Sequence, residues 1–125
     1  MIAKNNQPSV AAIVGLFLIL TLFACEYEQR EVISLDSLPE EISFSEHIVP
    51  IFSSKCIKCH NGTTPPNLAP EEAYIEIIGA GYVNIDEPEE SNFYKKIDGG
   101  TMTQYASDED RAFILKWIIQ GAADN

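Results

Sequence analysis

The pentapeptide Cys56-Ile57-Lys58-Cys59-His60 is the stretch of this chain whose residue types and spacing can do chemistry. Two thiols three positions apart fall on one helical turn, so both can add to vinyl groups along one porphyrin edge, and the next residue brings an imidazole under the iron. This is the spacing of c-type haem attachment. With 3 Cys and 2 His in 125 residues, chance placement would give the pattern in about one such chain in a thousand, so coincidence is a poor explanation. Two other readings use the same side chains. Cys56, Cys59, His60 and His47 make four nominal zinc ligands, but adjacent Cys59 and His60 rarely both reach one tetrahedral ion. A thioredoxin-type redox disulfide needs a βαβ context, and no strand pattern surrounds the motif.

A haem iron has a second axial position. Beyond residue 24 the chain holds one methionine, Met102, besides its two histidines. The further ligand is therefore Met102, His47 or none. His47 precedes the motif on the helix that enters it, so it stays on the side of His60 and is expected at the surface. Met102 lies in an irregular stretch between two expected helices, which gives it a path round to the opposite face. A loop methionine is otherwise a gap-filling hydrophobe.

The elements that must position these residues read as helices. Ser43-Phe44-Ser45-Glu46 fits a capping box, and Ile48, Ile51 and Phe52 share an apolar face. With Ser45 as the cap, Pro50 lies just past the first turn, which predicts a short or kinked helix into the motif. Asn61 to Ala69 is turn-rich. Pro70 to Gly79 predicts a helix opened by proline, with Tyr74, Ile77 and Ile78 buried. A short helix is expected over Ser91 to Ile97, ended by Asp98-Gly99-Gly100. The last helix is capped by Ser107, carries Asp108, Glu109 and Asp110 at its positive end, and is closed by Gly121. Its buried side holds Phe113, Ile114, Trp117 and Ile118. Trp117 packs on the motif helix, or its indole N–H reaches a haem propionate.

Composition bounds the rest. The chain has 19 acidic and 8 basic side chains and a formal charge of -11, which excludes a basic nucleic-acid reader or a polybasic membrane binder. At 46 % hydrophobic residues it is a folding sequence of one domain. Lys4 followed by the apolar run Val10 to Ala24 reads as an export signal over residues 1–24. That run ends Leu22-Phe23-Ala24-Cys25, which resembles the lipobox of bacterial lipoproteins. The resemblance implies cleavage before Cys25 and its lipidation, with the exported body held at a membrane of the bacterial cell envelope, on its periplasmic or surface face. An uncleaved anchor helix is the other reading of the same run. Lipidation also accounts for the odd cysteine. Losing Lys4 shifts the formal charge by one unit further negative. Residues 25–41 form an acidic tether.

Residues 42–125 resemble a small class I-like c-type cytochrome domain. The residues that carry this are Ile48-Val49-Pro50-Ile51-Phe52 leading to Cys56-Ile57-Lys58-Cys59-His60, then Ser91 to Ile97, Met102, and Trp117-Ile118-Ile119-Gln120-Gly121-Ala122. The resemblance implies an all-α fold of three to five short helices around one haem c, attached through Cys56 and Cys59 and ligated by His60 and Met102. It implies that Pro66 offers its carbonyl to the second nitrogen of His60 while Leu68 packs on the ring. The family usually has proline directly after the ligand methionine, where this chain has Thr103. The implied function is single-electron transfer, with no substrate chemistry of its own. Partners would be redox proteins with basic or neutral docking surfaces, and the membrane through Cys25. Should Met102 not bind, the open iron position implies a gas sensor or a peroxidase-like enzyme in which Tyr105 would matter. A zinc-holding structural subunit is the third reading.

Overall fold

Ser43, not Ser45, opens the helix that leads into the cysteine motif: its hydroxyl oxygen accepts the backbone N–H of Glu46 at 3.2 Å. In this computed structural model residues 32–125 are described; the expected leader, Lys4 and Cys25 lie outside them. From the Ser43 cap the chain is helical without a break. Phe44–Ile48 forms π-type turns, Val49–Ile51 a short α-helical stretch and Phe52–Cys56 π-type turns again, and we call the run over 44–56 α1. The helical run passes Pro50 without a break. Proline has no N–H for the i to i−4 ladder. In the wide turns on either side of it donors reach back five residues, from Val49 to the Phe44 carbonyl and from Ile57 to that of Phe52, so the chain is helical before and after Pro50.

Three more helices follow: α2 at Ala73–Gly79, α3 at Asn92–Ile97 and α4 at Asp108–Ile119. The helix expected from Pro70 begins at Ala73, after a turn in which the N–H groups of Glu72 and Ala73 both donate to the Ala69 carbonyl. Short 3-10 turns lie at Leu35–Ser37, Pro88–Glu90 and Thr103–Tyr105. The fold of the described residues is small and all-α, with no strand among them. α4 has the capping box that its sequence calls for, between Ser107 and Asp110. No helix among the described residues is long and apolar enough to cross a membrane.

The core lies where α1, α2 and α4 meet. Phe52, Ile48, Ile77, Ile114, Trp117 and Ile118 are all within 1 or 2 % of complete burial. Phe44 joins the layers, with its ring centroid 5.3 Å from Tyr74 of α2 and 5.2 Å from Trp117 of α4. The Trp117 indole N–H donates to the Ala123 carbonyl at 2.9 Å. Trp117 is therefore a packing residue satisfied by backbone, and its N–H is not left to meet a propionate. Asn125 returns to the start of α1, where its side-chain oxygen accepts from Phe44 N–H at 2.8 Å and its carbonyl from Ser45 N–H at 2.9 Å. Two donors that a helix start leaves without partners are thus satisfied by the far end of the described chain.

The second half of the expected tether joins this body. Lys116 of α4 donates to the carbonyls of Leu35 and Leu38 at 2.9 and 3.4 Å. Gln120 brackets the next residues, donating to the Glu40 carbonyl at 2.6 Å and accepting from Ile42 N–H at 2.9 Å. Leu35 and Leu38 are partly buried against the core.

Candidate functional site

The cysteine motif forms one more turn beyond α1. The N–H groups of Cys59 and His60 both donate to the Cys56 carbonyl, at 3.1 and 3.0 Å, which stacks the two cysteines on one turn. Their depths differ: Cys56 is half-buried, Cys59 is exposed, and neither is in a disulfide. Burial pushes the Cys56 thiol up to about 11, the Asp110 carboxylate adding to the rise and Lys55 opposing it.

After His60 the chain loops and returns. Gly62, at φ +96, makes the turn, and the Leu68 N–H closes the loop on the His60 carbonyl at 2.7 Å. Inside it, His60 Nδ1 lies 3.1 Å from the Pro66 carbonyl oxygen. A carbonyl can only accept, so Nδ1 carries the proton and donates, and Nε2 keeps its lone pair. The loop is itself fixed to α2, since Asn67 N–H donates to Glu76 Oε2 at 3.4 Å. Leu68 is 3 % exposed and belongs to the hydrophobic core. His60, Pro66 and Leu68 are thereby brought together in one closed loop.

Met102 is placed elsewhere, in the loop between α3 and α4. It is half-buried and packs against the core. Its N–H donates to the Lys96 carbonyl at 2.9 Å, so the loop folds back over the end of α3. That close return needs Gly100, where a Cβ would stand 2.7 Å from the Lys95 carbonyl oxygen and 2.8 Å from Lys96 Cα. Tyr105 is 52 % exposed.

His47, expected at the surface, is half-buried and engaged. Its Nδ1 accepts the Ser43 N–H at 3.0 Å, and its ring stacks on Phe113 with centroids 5.5 Å apart. Together with Cys56, Cys59 and His60 it would be needed for the four-ligand zinc reading. No group of three or more His, Cys, Asp or Glu side chains among the described residues is arranged to hold a metal ion.

Two further features, one of them beside the motif, were not legible in the sequence. Asp110 Oδ2 accepts from Lys55 Nζ and from the N–H and hydroxyl of Ser107 at 2.7 and 2.6 Å. Burial opposes ionisation of Asp110 more than any other single influence. The Lys55 and Ser107 hydrogen bonds together outweigh it and hold the carboxyl below the usual carboxylate range. This pair ties the residue before Cys56 to the first turn of α4. Its sequence signal was half visible, in the Ser-x-x-Asp cap, but the partner lysine is 55 residues away. Arg111, 7 % exposed, is the second feature. Its Nη1 donates to the carbonyls of Ala106, Thr103 and Ile97 at 2.5, 3.2 and 3.4 Å, and Nη2 binds the Asp108 carboxylate. A burial of guanidinium this deep is tolerated because its donors are met.

Compared with protein families, curated proteins and solved structures, the chain has no match in any of the three.

Proposed function

We propose that the chain is a membrane-anchored monohaem c-type cytochrome that carries single electrons between redox partners, its four helices forming a small cytochrome c-like domain around one covalently held haem. The observation that carries this reading is the hydrogen bond from His60 Nδ1 to the Pro66 carbonyl. It fixes the tautomer and ring direction that an imidazole ligand requires, directly after two cysteines on one turn. A metal-ligating histidine needs such a partner on its other nitrogen, and a plain surface histidine does not.

The residues fit the group. Cys56 and Cys59 would hold the porphyrin by thioethers, His60 Nε2 would supply the proximal bond, and Met102 the distal one. When bound, the haem supplies one-electron exchange between Fe(II) and Fe(III), with methionine ligation raising the potential relative to two histidines. The protein's part is to hold still. Pro66 keeps the His60 ring from rotating, the Leu68 N–H keeps the loop closed, and both lower the rearrangement that accompanies each electron. The excess of acidic side chains favours a basic or neutral partner surface, with encounter rates that fall as salt rises. Cys25, lipidated, would hold the exported body at a bacterial envelope membrane.

The test is haem staining of the matured protein after denaturing electrophoresis, with optical spectra in both redox states. Colour that stays with the chain, and is lost in Cys56→Ala/Cys59→Ala, supports covalent attachment. A sulfur-to-iron band in the oxidised form, with no carbon monoxide binding in the reduced form, supports the carrier with Met102 on the iron. Stained protein without the band, binding carbon monoxide rapidly, replaces the carrier by the sensor or peroxidase reading. No retained haem at all overturns the proposal.

A further inference from the structure

Met102 is followed by Thr103 where the resembled family has proline, so something else must stiffen this loop if the methionine is to stay on an iron. The structure offers a device for that. The loop runs from Ile97, the last residue of α3, to Ser107, the cap of α4. Three carbonyls spaced along it, Ile97, Thr103 and Ala106, all receive hydrogen bonds from one nitrogen of Arg111. Arg111 also pairs with the carboxylates of Asp98, at 3.6 Å, and Asp108, which begin and end the same segment. The Thr103 hydroxyl donates to the Gly100 carbonyl at 2.8 Å. Met102 thus sits inside a loop tied at its start, beside the methionine, and at its exit to a single buried cation on the rigid α4.

We propose that Arg111 is the positioning residue for Met102: by binding the Ile97, Thr103 and Ala106 carbonyls, it takes the place of the missing proline and holds the thioether where the iron needs it. This rests on the carrier reading above. The planar guanidinium suits the task, because it presents several donors in a fixed fork with no acceptor to satisfy. A lysine would keep the charge, but its single nitrogen cannot bind these carbonyls and also meet the Asp98 and Asp108 carboxylates that Arg111 reaches through Nε and Nη2. Free, the loop would pay more ordering entropy each time the methionine rebinds.

The experiment is titration of the oxidised, matured protein with imidazole, which binds the iron only when methionine leaves, together with the sulfur-to-iron band and thermal unfolding. Arg111→Met is expected to bind imidazole about tenfold or more tightly than the parent and to weaken the band, because the methionine-off population rises by that factor. Arg111→Lys falls between the two. Ile118→Val, which loosens the core on the same helix and leaves the Arg111 hydrogen bonds in place, lowers the melting temperature but leaves imidazole affinity unchanged. Equal shifts in Ile118→Val and Arg111→Met, or none in Arg111→Met, overturn the positioning role while the parent's band upholds the carrier. A parent protein with no band overturns the carrier reading first, and with it this one. Should Arg111→Met fail to mature, hydrogen exchange of the parent decides. Met102 and Thr103 amides protected like those of α3 support the clamp, and exchange as fast as Gly99 overturns it.

Discussion

Replacing Asp110 with asparagine tests the joint between α4 and the residue before Cys56. One oxygen, Oδ2, accepts from Lys55 Nζ, Ser107 N–H and Ser107 Oγ, while the side chain is only 12 % exposed. Asparagine can place one oxygen there as acceptor, but a neutral one. Exchanging charge-assisted bonds for a neutral one costs about 1 kcal/mol for each of the two Ser107 bonds. The half-exposed pairing with Lys55 adds about 0.5 kcal/mol after allowance for solvent, and the helix start about 0.5 kcal/mol more. The total is about 3 kcal/mol, which in a domain of this size lowers Tm by roughly 12–24 °C. The pH dependence has a definite sign. The folded carboxyl titrates below its unfolded value of about 3.9, so its contribution is complete above that pH and disappears as pH falls through the folded value. Thermal unfolding of parent and Asp110→Asn proteins at neutral pH and at about pH 2 measures both. A gap at neutral pH that closes in acid is expected. A gap of the same size at both pH values, or none at neutral pH, refutes the argument that the ionised carboxylate is the stabilising species.

Other perturbations have outcomes of similar definiteness. Gly100→Ala forces a Cβ against the backbone of α3 at Lys95 and Lys96, and should destabilise by about 1–3 kcal/mol in denaturant titration. Trp117→Phe leaves the Ala123 carbonyl without its donor and shrinks the packing against Phe44, costing about 2 kcal/mol by the same assay. In chain produced without haem attachment, the Cys56 thiol, raised to about 11, should be alkylated near neutral pH about a hundredfold more slowly than an unstructured cysteine, since its thiolate is scarcer by that factor. Mass mapping of alkylated peptides over time reads it, and equal rates would remove burial as the cause.

What could be read in the sequence and what could not divide along a physical line. Cys56, Cys59 and His60 announce themselves because their chemistry depends on local spacing, and one helical turn preserves it. The Ser107 cap of α4 was legible for the same reason. The Ser43-to-Glu46 cap of α1 was legible in the same way, whereas the wide turns around Pro50 were not, because the rule against internal proline assumes regular α-turns. Arg111 was illegible because nothing local marks an arginine whose donors meet carbonyls 5, 8 and 14 residues back along a loop. Lys116 and Gln120 were illegible as well, since both hold backbone about 80 residues away.

Those last two contacts set a radius. With anchoring at Cys25 and a tether ending at residue 41, seventeen residues would separate the lipid from the domain, a reach of about 60 Å at full extension. Because Lys116 grips the chain at Leu35, the path from Cys25 to the first held residue would be ten residues, a reach of at most about 35 Å at full extension. That is close to the diameter of a domain of this size, about 32 Å. On the proposed lipid anchoring at Cys25, a reach this short would keep the domain near one membrane and would not bridge a wide gap to a second. Its electron donor and acceptor would both have to sit within one protein layer of the same lipid surface, and lengthening the stretch before Leu35 would be the way to widen its choice of partner.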